Sequence, residues 1–521
     1  MKPRDCSALR QNEFDLLVIG GGIYGAWTAY DAAKRGLKVA IVEQADWAAA
    51  TSSASSKLIH GGLRYLESYD FKLVRKALAE RNMLLTCAPH RVWPQRFGVP
   101  IYADSRTGFW LMKAGLMLYD ALANFPQKIL AHRSYSKAQF ATKFPCLKTA
   151  NLTRGLSYGD AQTDDARLVF ELITGAQMLG AVCLNYCQFQ QVITTNNVAT
   201  GAQLHDLISD EKLTVRARQI VNATGQWIST SALGKSWCRL SKGVHLTLRG
   251  GLTDEALLLT APQDGRVFFI IPWYGMTLLG TTDEDYLGDI NQLASTTADA
   301  DYLLTAANHY LQSNLREEDI VARYAGIRVM QRSDAAHPSQ LSRDWTLQTD
   351  QHGVHFSVGG KITSARVDAA RIVDAVCKNL AIRADCATAN NPFPWTPHEA
   401  FSSWYEEQMQ RAQQLKVDTE SAHWLLHRHG KNAPLILDNI QAAPETAQRV
   451  VATVPFIQAD LCWCAQHEMI VHLDDLLRRR LPLLILAKLD ASSLQAIAAT
   501  IAPLLNWSAE QINLEVQRCL P

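Results

Sequence analysis

Gly20, Gly22 and Gly25 stand in the spacing G-x-G-x-x-G, and an acid, Glu43, follows about 20 residues on. Residues of these types at this spacing bind a dinucleotide. The first glycine makes a tight turn, the second lets the backbone approach a pyrophosphate, and the third lets a helix pack closely on a strand. The helix that follows offers unpaired N–H groups and the positive end of its dipole to the phosphates. An acid ending the next strand is placed for ribose hydroxyls. The same glycines could also serve a purely structural turn, so the flanking elements decide.

Those elements are in register. Residues 14–20 (FDLLVIG) form an apolar run ending in glycine, as a buried parallel strand does. Residues 23–35 read as a helix with Ala26, Ala29, Ala32 and Ala33 as small packing positions, and Gly36 is its stop. Residues 38–43 (KVAIVE) are the second strand, completing a β-α-β unit. A polar loop follows at 51–62 (TSSASSKLIHGG), then a helical period over 71–85 and an apolar, aromatic helix over 108–122. Residues 218–223 (RQIVNA) predict another buried strand. Residues 267–273 and 276–283 predict a hairpin turning at Tyr274-Gly275. Residues 354–373 predict strand, Gly-Gly turn and helix. The proline cluster at 391–397 leads into a tail with helical periodicity and few strand signals.

A chain of 521 residues exceeds one core, so two domains or more are expected. Lys and Arg number 51 against 50 Asp and Glu, which leaves no basic field to attract nucleic acid. The opening residues carry no apolar secretory segment, and no apolar run reaches the ~20 residues of a membrane span. Cys183 and Cys187, and Cys462 and Cys464, lack a matching second pair, so no metal site is expected. Scattered cysteines of this kind suit a cytoplasmic protein with reduced thiols.

FAD rather than NAD follows from two later segments. VNATG, containing Ala223 and Gly225, resembles the second adenine-side strand and turn of flavoproteins with the two-dinucleotide fold. Gly359, Gly360 and Lys361 open a late helix whose dipole can stabilise negative charge at the flavin N1–C2=O edge. At this point a family resemblance is specific. Residues 20–67, with TSSASSKLIHGGLRYLE, resemble the flavin-binding segment of aerobic, FAD-dependent sn-glycerol-3-phosphate dehydrogenases. Similar motifs run on through APH, DDARLV, NATGQW, KGVHL, GTTD, YAGIR, SRDWTL and GGKIT. The tail, with HRHG and QHEMIVHLDDLLRRR, is similar to the family's C-terminal domain.

The resemblance implies an α/β fold, α+β in the substrate domain. A Rossmann-type FAD domain is interleaved with a β-sheet substrate domain over 1–390, and a helical C-terminal domain covers 398–521. It implies non-covalent FAD contacted by Gly20, Gly22, Gly25, Glu43, Thr51, Ser52, Ser53, Lys57, His60, Gly61, Gly62, Ala223, Gly225, Gly359, Gly360, Lys361, Ile362 and Thr363. It further implies oxidation of glycerol 3-phosphate to dihydroxyacetone phosphate, with electrons passed to quinone at the inner face of the cell membrane. A homodimer is left open.

Oxidising a secondary alcohol needs a base, and a phosphorylated substrate needs fixed cations. Arg64, Arg328 and Lys361 match the family's pocket positions, with Tyr65 as one more hydrogen-bond donor. Arginine suits phosphate because its planar fork engages two oxygens. His245, in KGVHL, is the preferred base, since imidazole accepts a proton near neutral pH. His60 is the alternative. Two departures stand out. Ile327-Arg328-Val329-Met330 lacks the family's proline, and Ser364-Ala365 replace its Thr-Tyr. Both predict extra room and keep another polyol phosphate open. An oxidase and a non-catalytic flavin-binding paralogue are the remaining alternatives. Residues 108–125 match a segment that family members place near the bilayer, and a peripheral membrane contact is expected there.

Overall fold

The computed structural model describes residues 4–124, 128–332 and 344–520. Ser342 and Arg343 of SRDWTL, and Phe125, lie outside the described residues.

The strand Glu13–Ile19 enters the core with Leu16, Leu17 and Val18 fully buried. Val39–Val42 lies parallel on one side of it, and Glu211–Asn222 parallel on the other. A strand covered on both faces has no solvent side, so its sequence is continuously apolar rather than alternating. The helix Ile23–Lys34 connects the first two strands and buries Ala26, Ala29 and Ala32. Its small side chains let it lie against the helices Asp165–Met178 and Ala365–Leu380. His355–Gly359 extends the sheet in parallel beyond Glu211–Asn222, making eight strands among the described residues.

A second sheet of ten strands is largely antiparallel. Its centre is the hairpin of Val267–Trp273 and Met276–Gly280. Tyr274 and Gly275 both have positive φ, 50° and 74°, the backbone that a two-residue turn between twisted strands demands. The chain passes between the sheets repeatedly. Glu211–Asn222 belongs to the first and Cys238–Leu248 to the second, while Ile320–Gln331 belongs to the second and Trp345–Thr349 to the first. The stretches of chain that build the two sheets are therefore interleaved, not consecutive.

From Phe401 onward the named elements are helical. Leu476, Leu477, Leu494 and Ile501 from this tail share one apolar core with Phe97, Tyr274 and Leu278 of the second sheet. Charge ties the tail to the first sheet as well. Buried Asp46 is paired with Arg479 at 2.6 Å and with Arg480 at 2.7 Å. Burial alone would raise the Asp46 carboxyl, but Arg480 and Arg479 outweigh it and hold the pKa down at about 2.

One element starts later than its sequence suggests. Gly359 and Gly360 have φ of 77° and 98°, which cannot continue into a right-handed helix. A turn intervenes, and the helix begins at Ala365.

Candidate active site

A cavity of about 680 Å³ is lined by residues of both sheets. That lies within the range of cofactor and substrate pockets. Gly20, Gly22 and Glu43 line it from the first β-α-β unit, and Thr51 and Ser52 from the segment that follows. Gly25 does not line it. A Cβ there would sit 1.8 Å from the Gly20 carbonyl oxygen, so its role is the close packing of helix on turn. Glu43 accepts the Gly21 N–H at 2.6 Å and the Ala45 N–H at 2.9 Å. Burial raises its pKa, and those two bonds oppose the rise. Ser52 Oγ accepts the Ile23 N–H at 2.9 Å, which places a hydroxyl at the helix N-terminus where phosphate would be favoured.

Ala223 and Gly225 line the cavity from the end of Glu211–Asn222. Gly359, Gly360, Lys361, Ile362, Thr363 and His60 line it as well. Thr363 Oγ1 accepts the His60 N–H at 3.1 Å, joining the Gly-Gly turn to the loop before Arg64.

The second sheet carries the histidine and the arginine expected to act. Cys238–Leu248 and Ile320–Gln331 are antiparallel, with His245 opposite Tyr324 and Ser241 opposite Arg328. Side chains alternate along a strand, so His245, Tyr324 and Arg328 share one face. His245 Nε2 lies 2.8 Å from Ser56 Oγ. Its Nδ1 is shielded from solvent and has no hydrogen-bond partner among the described residues. Burial first, then the charges of Arg328 and Lys57, hold its pKa well below the usual imidazole value. The guanidinium of Arg328 donates to Thr281 Oγ1 at 2.8 Å, to the Thr282 carbonyl at 3.2 Å and to Asp283 at 3.3 Å.

Two glycines admit these groups. A Cβ at Gly243 would sit 2.2 Å from Arg328 Nη2, and one at Gly280 would sit 2.3 Å from His245 Cδ2. This is the physical content of the KGVHL and GTTD motifs.

Not every expected residue faces the cavity. Lys57 is buried, donates to the Ser53 carbonyl at 2.8 Å and pairs with Asp165 at 2.6 Å, so its ammonium is turned away. Ser53, Gly61 and Gly62 also lie behind the lining residues. Arg64 is off the lining too, with its guanidinium carbon 5.6 Å from the Tyr65 ring centre. Tyr65 does line the cavity, and its ring centre is 3.9 Å from Lys361 Nζ. Of the positions expected to open extra room, Val329 lines the cavity. Ser364 and Ala365 are buried outside it, with the Ser364 hydroxyl turned to Asp368. Sequence reasoning missed Ser56, Tyr324 and Tyr24. The Tyr24 hydroxyl accepts the Lys361 N–H at 3.1 Å and donates to Asp368 at 3.1 Å. Elsewhere, His429, Asp460 and Cys464 converge in the tail as metal ligands might be grouped, but Arg428 and His429 both engage Asp460.

Residues 15–366 match the family model described as FAD dependent oxidoreductase, and 399–512 match the C-terminal domain of alpha-glycerophosphate oxidase. A glycerol-3-phosphate dehydrogenase of Synechocystis sp. is 33% identical over 540 aligned positions, covering 99% of this chain and 97% of that one. An aerobic glycerol-3-phosphate dehydrogenase of Staphylococcus haemolyticus is 31% identical, covering 97% and 93%. The crystal structure of the Bacillus halodurans glycerol-3-phosphate dehydrogenase complexed with FAD superposes with a TM-score of 0.79 at 28% identity, covering 98% and 95%. The glycine turn with its acid and the second contact strand fit FAD in the cavity they line, and the chain belongs to the FAD-dependent oxidoreductase family, among its glycerol-3-phosphate dehydrogenases.

Proposed function

We propose that the chain oxidises sn-glycerol 3-phosphate to dihydroxyacetone phosphate and passes the electrons to a quinone. One observation carries this reading: His245, Arg328 and Lys361 line the same cavity as the glycine turn. FAD, when bound, supplies a two-electron acceptor for hydride. The protein's residues do the rest. Arg328, oriented by three oxygens, brings its guanidinium to the cavity wall, and that planar cation suits phosphate. Lys361 adds a second cation, and Tyr65 packs against it. His245 is neutral because it is buried beside positive charge, so it is free to take the hydroxyl proton. A base held that low is weak. A phosphate dianion beside Arg328 would offset one of the charges that depress it, so the substrate itself brings the base toward its working range.

The membrane reading has its own support. No described helix is long and apolar enough to cross a membrane. The helix Phe109–Leu122 nevertheless leaves Trp110 73% and Leu111 70% exposed, with Met117 and Leu118 also outward. Exposed Lys72 and Arg75 rim a groove that Leu122 of this helix also lines. Apolar and basic surface side by side suits an anionic bilayer face.

Anaerobic mixing tests the assignment. Glycerol 3-phosphate should bleach the flavin and free glycerol should not; equal bleaching by both would remove the phosphate site. Reoxidation faster with oxygen than with a quinone would make the protein an oxidase. His245→Ala should slow reduction by roughly 10²–10⁴-fold with flavin content retained. If His60→Ala does this instead, the base is the other histidine.

A further inference from the structure

Tyr324 stands directly across the paired strands from His245. The two rings stack, with centroids 5.0 Å apart and planes 10° from parallel. The Tyr324 hydroxyl donates to the Ser55 carbonyl at 3.1 Å, and the next residue, Ser56, meets His245 Nε2 at 2.8 Å. Stacked rings keep a broad range of favourable offsets, so stacking alone does not fix the imidazole. The bond to Ser55 holds only the hydroxyl end of the tyrosine, and its ring must be held separately.

Two cations lie over its ring: Lys57 Nζ at 5.4 Å from the centroid and the Arg478 guanidinium carbon at 5.2 Å. They differ in what else holds them. Lys57 is committed to Asp165 and the Ser53 carbonyl. Arg478 Nη1 is shielded from solvent and has no hydrogen-bond partner among the described residues. A polar group left so is unfavourable in water's absence, and the face of an aromatic ring is a partial substitute. Arg478 sits in DLLRRR of the helical tail, where its neighbours Arg479 and Arg480 are anchored on Asp46. The backbone that carries Arg478 is thus pinned against the first sheet while its side chain reaches the second.

We propose that Arg478 is a positioning residue for the base: from the C-terminal domain it clamps Tyr324, and through Tyr324 it holds the His245 imidazole against Ser56. The helical tail is then part of the oxidation machinery. This rests on the reading of His245 as base.

The test uses the purified holoenzyme and the rate constant of anaerobic flavin reduction by glycerol 3-phosphate. Arg478→Met should lower that constant by roughly 10–100-fold, as small misplacements of reacting groups do, with KM and flavin content unchanged. Arg478→Lys should recover part of the loss, because it keeps a cation for the ring. Tyr324→Leu should match the loss, and the double variant should lose no more than either alone. Additive losses, or a normal rate in Tyr324→Leu, overturn the proposal, and the second outcome does so even if Arg478→Met does not fold. A normal rate in His245→Ala would instead remove the base assignment. Slow reduction in His245→Ala with normal rates in the other two variants removes the clamp alone.

Discussion

Arg328→Met separates phosphate binding from proton transfer in one variant. The arginine is oriented by Thr281, Thr282 and Asp283, so it meets an incoming phosphate without having to reorganise. Losing one charge-assisted contact to a largely desolvated anion costs about 1.5–3 kcal/mol, or about one to two decades in kcat/KM for the phosphate ester. Free glycerol lacks that anion, so any slow oxidation of it should keep its rate on the plateau above the acidic limb. The second effect has the opposite character. Arg328 is, after burial, the first of the charges holding the His245 pKa down, so its removal raises that pKa. A base works when neutral. The acidic limb of the pH–rate profile with free glycerol should therefore move to higher pH in the variant. Stopped-flow flavin reduction with both substrates, across pH 5 to 8, reads both effects. Equal losses with glycerol and its phosphate, or a limb that stays put, would refute the reasoning.

Gly22→Leu should yield colourless protein, because the side chain would enter the cavity beside Ser52; full flavin occupancy would refute the phosphate placement. Trp110→Asp together with Leu111→Asp should release membrane-bound protein into the supernatant, and unchanged pelleting would exclude the helix Phe109–Leu122 as anchor. Acid should destabilise the fold through its buried histidines. Burial first, then His423, lowers the pKa of His427 to about 3, and that of His245 is also far below 6.5. The unfolded chain takes up those protons below pH 6.5 while the folded chain does not, so stability is complete above that pH. It is then lost at roughly 1.4 kcal/mol per pH unit for each histidine. Equal melting midpoints at pH 7.5 and 5.5 would contradict this.

What the sequence made legible was local. The glycine turn, the first β-α-β unit, the hairpin at Tyr274-Gly275 and the helical tail each depend on residues close in the chain. What it hid depended on pairing. Tyr324 looks like any strand tyrosine until the register sets it opposite His245. Lys57 sits in a motif full of cavity residues, yet a buried carboxylate, Asp165, captures its charge. Ser364 and Ala365 depart from the family pattern, but the turn after Gly360 carries them behind the wall, so their effect on the pocket is indirect. Arg64 flanks Tyr65 and does not itself reach the lining.

The pairing of Asp46 with Arg480 spans 434 residues of chain. At about 5–20 residues per second of synthesis, Asp46 waits roughly 20–90 s for its counter-charge. Until then the loop after Glu43 carries a carboxylate that cannot be buried at low cost, since breaking such a pair typically costs about 3–5 kcal/mol. The first β-α-β unit is made early, but the loop beside it lacks both arginine partners of Asp46 until the tail arrives. A chain that stops before residue 479 leaves Asp46 without either of its arginines, and so leaves the junction between the first sheet and the tail without its charge pairing.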